Sequence, residues 1–127
     1  MKLRIKGNSL RLRVAKSEVE KLLRRERLEE SIQFAPQPHA KLTYALEQTP
    51  SVSAPTVRYA EGEVTVLLPS NLADNWCTTN TVGISEHVSL GAFGTLEVLI
   101  EKDFACLDRS DDDNEDTFSN PHAGAVC

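Results

Sequence analysis

The opening stretch "MKLRIKGNSLRLRV" alternates apolar and cationic positions. On an extended chain Leu3 and Ile5 point one way, while Lys2, Arg4 and Lys6 point the other. Gly7-Asn8 interrupts the run with two residues that tolerate positive φ. Leu10, Leu12 and Val14 then alternate with Arg11 and Arg13. The pattern predicts a β-hairpin with one apolar face, the five cations Lys2, Arg4, Lys6, Arg11 and Arg13 sharing the other. The period then lengthens. Val19, Leu22 and Leu23 are spaced as one helix face, and Ser17 with Glu20 has the S-x-x-E form of a capping box. The helix is expected to end near Arg25–Arg27, with Glu20 and Arg24 pairing one turn apart.

Alternation returns further on. Strands are expected over 27–34, with Ile32 and Phe34 on one face, and over 41–48, with Leu42, Tyr44 and Leu46 on one face. Residues 56–69 read as a hairpin turning at Glu61-Gly62. A short helix follows, with Ser70 as N-cap and Leu72 and Trp76 as an apolar pair. Residues 81–90 and 94–104 read as the last strands. No internal repeat stands out beyond the generic likeness of the hairpins. From Asp108 the periodicity stops. The expected architecture is α+β: a mainly antiparallel curled sheet or partly closed barrel of five to seven strands with two short helices. It divides into a domain over 1–107 and an acidic, flexible tail over 108–127.

Length and composition narrow the class. A chain of 127 residues, 40% hydrophobic and 26% charged, forms one domain with a real core. No apolar run approaches the ~20 residues of a membrane helix, and the first residues lack the apolar segment of a signal peptide. Cys77, Cys106 and Cys127 are odd in number and without CxxC spacing, which points to free thiols and a cytoplasmic location. Charge is unevenly placed. Residues 1–27 carry ten Lys or Arg against three acids, so the remainder of this net −5 chain stands at −12. Such a split raises anionic partners, nucleic acid among them, or docking of one part on the other.

Three constellations could carry chemistry. The hairpin cations Lys2, Arg4, Lys6, Arg11 and Arg13 can hold phosphate oxygens or enter a DNA groove, or else face Glu97, Glu101 and Asp103 on the last strand. In a closed sheet, the same cations with Arg58 could surround polyphosphate while Glu61, Glu63, Glu97 or Glu101 hold a metal ion, as a phosphate-processing enzyme requires. At the C-terminus, Cys106, His122 and Cys127 frame an acidic run and could take zinc; Asp108–Asn114 has part of a calcium-loop pattern but Asp113 where glycine is needed. Cys77 and His87 could pair as nucleophile and base, against the commoner role of a buried thiol. His39, in a proline-rich loop, is expected at the surface.

The stretch "IKGNSLRLRVAKSEVEKLL" resembles the start of AbrB/MazE-type swapped-hairpin DNA-binding modules through Gly7, Asn8, Ser9, Leu10, Arg13, Lys16, Leu22 and Leu23. Ala15 stands where those modules usually have proline. Over the whole chain, Met1–Val14, Val82–Ser85, Glu101–Leu107 and Glu115–Pro121 resemble a family of small uncharacterised bacterial proteins that open on similar text and close on "EKDFxCL" with an acidic tail. That resemblance implies an arrangement of motifs and no activity. The expected function is a non-enzymatic binding or interaction module using the basic hairpin face, masked by its own tail. The alternatives are a metal-binding protein and a phosphate-processing enzyme; no cofactor is expected apart from zinc in the first of these.

Overall fold

The N-terminal alternation folds as a hairpin: β1 (Lys2–Lys6) and β2 (Ser9–Val14) are antiparallel, Leu3 opposite Leu12 and Arg4 opposite Arg11. The structure is a computed structural model and describes residues 1–104 and 116–119. Leu10, Leu12 and Val14 are buried. Leu3 is half-buried, and Ile5 stays 63% exposed because β1 is an edge strand.

Helix α1 (Lys16–Leu23) differs from expectation at both ends. Its N-cap is Ala15, which has no side-chain acceptor to offer. Glu18, rather than Glu20, reaches back to the Ala15 N–H at 2.9 Å and also holds the Met1 ammonium at 2.7 Å. The missing cap comes from the far end of the chain. Asp116 Oδ1 accepts the Ser17 N–H at 2.9 Å, Oδ2 accepts the Ser17 hydroxyl, and the Asp116 carbonyl accepts the Lys16 N–H at 3.1 Å. The helix stops at Leu23 because Arg25 takes φ +70°. The Glu26 N–H then bonds the Lys21 carbonyl and the Arg25 N–H the Leu22 carbonyl, the paired bonds of a Schellman end. Arg24 pairs with Glu26.

The later strands are β3 (Leu28–Gln33), β4 (Lys41–Thr49), β5 (Thr56–Ala60), β6 (Glu63–Pro69), β7 (Gly83–Ser89) and β8 (Thr95–Lys102); α2 (Ser70–Thr78) follows β6. Ser70 is the first helical residue, and Pro69 holds the N-cap position. Among the described residues eight strands replace the expected five to seven. They form two separate four-stranded sheets, not one curled sheet or barrel: β1-β2-β8-β7 and β3-β4-β6-β5. Every hairpin is antiparallel, but β2 runs parallel to β8 and β4 parallel to β6 at the sheet centres. Short connections made the hairpins legible. The parallel pairs join strands from different hairpins, and no short connection announces them.

The element order also reveals a repeat. β1-β2-α1-β3-β4 and β5-β6-α2-β7-β8 are the same ββαββ unit, and exchanging them carries one sheet order onto the other. Registers agree: Leu12 beside Ile100 corresponds to Val66 beside Leu46. Leu22 of α1 and Trp76 of α2 are both fully buried at matching places. Both sheets and both helices contribute to one core. The resemblance to swapped-hairpin modules extends only to local order, since β2 finds its second partner in β8 of its own chain.

Asp116–Ser119 lies against this body. The Phe118 N–H bonds the Asp103 carbonyl at 2.8 Å, and its ring meets Phe104 edge-on at 6.0 Å. Hydrogen bonding by Ser17 first of all holds the Asp116 carboxyl below its ordinary range. A depressed carboxylate stabilises the fold above its unfolded value and loses that contribution as pH falls through the folded one. Asp116→Ala should therefore lower stability by about 1 kcal/mol at neutral pH. Denaturant titration should show the deficit shrinking once pH drops below about 4.

Candidate functional site

Strand alternation puts Lys2, Arg4, Lys6, Arg11 and Arg13 on the outer face of the first sheet, as read from the sequence. Their neighbours decide which remain available. Lys2 pairs with Asp103 at 3.0 Å. Arg11 and Arg13 converge on one oxygen of Glu101, at 3.4 and 3.0 Å. Arg4 and Lys6 ion-pair with no described residue and are exposed. With Arg11 they line an open groove of about 400 Å³ across β1, β2, β8 and β7. Ser85 and His87 on β7 and Glu97 on β8 complete its floor and far wall. His87 Nδ1 stands 4.0 Å from Glu97.

The matching outer face of the second sheet is built differently. There Arg27 bonds Glu29 at 3.0 Å, Glu47 at 2.9 Å and Glu63, and lies 3.4 Å from the buried Thr65 hydroxyl. Burial works against the Arg27 charge, but its hydrogen bonds to Glu47 and Glu29 outweigh it and hold the pKa above its ordinary value. Glu47 occupies the place that Glu101 has in the first sheet, and Thr65 the place of Arg11. One face thus encloses its cation with three carboxylates. The other presents cations to solvent. The Arg27 cluster escaped sequence reading because only the i, i+2 pair Arg27–Glu29 is local; Glu47 and Glu63 arrive through sheet register. Arg27→Met should cost about 2 kcal/mol in denaturant titrations, since it takes the shared cation from Glu29 and Glu63 and leaves Glu47 only Arg58 at 3.8 Å.

The other constellations fare as follows. The closed-sheet phosphate site is corrected: the sheets stay separate, Arg58 lies on β5 beside Glu47, and Glu61 and Glu63 belong to a different sheet from Glu97 and Glu101. Cys77 and His87 are not brought together; Cys77 lines a cleft at the end of α2, and His87 the groove on the first sheet. Burial pushes the Cys77 thiol up to about 11, so it is protonated at neutral pH. His39 is exposed. Cys106, His122 and Cys127 lie outside the described residues, and among the described residues no His, Cys, Asp and Glu cluster could hold a metal ion. No described helix is long and apolar enough to cross a membrane.

Comparison with known proteins assigns a family. The chain belongs to the family of unknown function DUF7009, which it matches over residues 1–122. No curated protein and no solved structure matches it.

Proposed function

We propose that this DUF7009 member is a non-enzymatic binding module whose first-sheet outer face takes an anionic partner. One observation carries the reading: Arg4 and Lys6, which ion-pair with no acid among the described residues, line a groove together with Arg11, which shares Glu101 with Arg13. The second sheet offers the contrast, because its equivalent face neutralises Arg27 internally. Two arginines and a lysine on adjacent strands suit phosphate or sulfate oxygens, with arginine able to bind them bidentately. Partner choice between nucleic acid and other polyanions follows from charge density alone, since no aromatic side chain interleaves with these cations.

Masking by the chain's own acids belongs to the same proposal. Asp108, Asp111, Asp112, Asp113 and Glu115 would compete with an external anion for the cations. Truncation is a poor test, because removing residues from Asp108 onward also removes the Asp116 cap of α1. Changing those five acids to Asn or Gln keeps Asp116. The amidated protein should bind heparin several-fold more tightly than the parent at low salt, and the two should converge at high salt. Equal affinities at low salt would remove the masking idea and leave the groove untouched.

A further inference from the structure

A second cleft lies on another part of the surface. It opens where α2 ends, β7 begins and Asp116–Ser119 packs against β8, with a volume of about 670 Å³. Lys16, Cys77, Lys102 and Phe118 are among its lining residues, and none of the described lining residues is acidic. At its floor is Lys102, only 5% exposed. Its ammonium donates to the Thr79 carbonyl at 2.6 Å and stands 5.7 Å from the Trp76 ring and 5.4 Å from the Phe118 ring.

These partners do not balance the charge. The end of α2 supplies a partial charge of about −0.5, and each ring offers only its quadrupole. An ammonium has three donors, and a described partner takes one of them. Among the described residues no carboxylate ion-pairs with Lys102. The equivalent place in the first ββαββ unit makes the contrast plain. There Gln48 bonds the Leu22 carbonyl in the last turn of α1, so a neutral amide serves that helix end. A buried full charge costs far more than an amide, and capping a helix does not require it.

We propose that this cleft binds a small organic carboxylate: Lys102 pairs with the carboxylate, Lys16 adds charge at the rim, and Phe104, Phe118 and Val82 receive its apolar body. Burial pushes the Lys102 pKa below its ordinary value, and a carboxylate at the ammonium would oppose that shift. The site shares no residue with the groove lined by Arg4, Lys6 and Arg11.

The test is binding of benzoate, acetate and inorganic phosphate to the full chain at constant ionic strength. Amide and lysine ε-carbon resonances in NMR locate the site. Benzoate should saturate with shifts at Thr79, Lys102 and Phe118, and bind several-fold tighter than acetate, which lacks the apolar body. Lys102→Gln borrows the side chain used at position 48 and should remain folded, yet weaken benzoate at least about tenfold. Lys16→Gln should weaken it only a few-fold. No saturable benzoate response overturns the proposal, as does a Lys102→Gln protein that binds like the parent. Phosphate matching benzoate at the same resonances overturns the organic-carboxylate assignment. A response abolished by Arg4→Ala with Lys6→Ala, and unaffected by Lys102→Gln, assigns the binding to the first-sheet groove and also overturns this site.

Discussion

Leu12→Asp should unfold the domain or lower its melting temperature by at least about 15 °C. Leu12 is 1% exposed, between Leu3 on β1 and Ile100 on β8, within the core shared by both sheets. A carboxylate there loses water and gains no partner, a penalty of several kcal/mol. Total stability for a domain of this size is about 5–15 kcal/mol, so one such change consumes much of it. The adjacent Arg11→Ser should stay within about 1 kcal/mol, because Arg11 lies on the outer face and shares Glu101 with Arg13. Trp76 is the only tryptophan, and its fluorescence reports unfolding of both variants. Equal damage from both would mean that the outer face is not solvated.

Trp76→Ala should cost about 3–5 kcal/mol. The ring is fully buried in the core, and its Nε1–H donates to the Val82 carbonyl at 3.1 Å. Alanine leaves a cavity, a Val82 carbonyl held by the Lys102 backbone N–H alone at 3.1 Å, and a Lys102 ammonium without one of its two rings. Trp76→Phe separates these losses. It keeps most of the packing but loses the hydrogen bond, and should cost about 1–2 kcal/mol. Far-UV circular dichroism in denaturant measures both. If Phe is as damaging as Ala, the hydrogen bond to Val82 dominates and the packing account is wrong.

Strands of the first sheet such as β2 and β8 could be read from alternation, because one face of that sheet is buried and period-two patterning follows from that; β3 is exposed beyond Leu28, Ile32 included, and β6 buries successive residues. Leu10, Leu12 and Val14 on β2 are the clearest case. Helix ends were less legible. The α1 cap is supplied by Asp116, a residue far away in sequence, and its C-terminal turn uses Arg25 where glycine would be the signal. Arg25 keeps that backbone while bonding Asp74 on α2 at 2.7 and 3.1 Å. The ββαββ repeat was hidden because equivalent positions preserve apolar character and not identity: Leu12 matches Val66, and Leu22 matches Trp76. The parallel pairings of β2 with β8 and β4 with β6 leave no local trace.

The candidate groove was half legible. Alternation placed all five hairpin cations on one face. It could not say which would meet acids, because that depends on β8 lying beside β2. Register gives Glu101 to Arg11 and Arg13 and Asp103 to Lys2, leaving Arg4 and Lys6 without described ion-pair partners. The Lys102 cleft had only a partial signal in the sequence. Lys102 falls in phase with Val98 and Ile100 on the buried side of β8, but alternation cannot show that α2 and Asp116–Ser119 wall a cleft around it.

The most direct test of the anion-binding account is the salt-dependent affinity of the full chain for heparin and for a short DNA duplex. Engaging Arg4, Lys6 and Arg11 together should weaken affinity about 40-fold between about 50 and about 200 mM salt, as released counterions drive binding. Charge reversal at Arg4→Glu with Lys6→Glu should abolish binding at the lower salt while leaving the melting temperature within a few degrees, since both residues are exposed. An intact protein that ignores both polyanions at about 50 mM salt, or a charge-reversed protein that binds as well as the parent, would contradict the account.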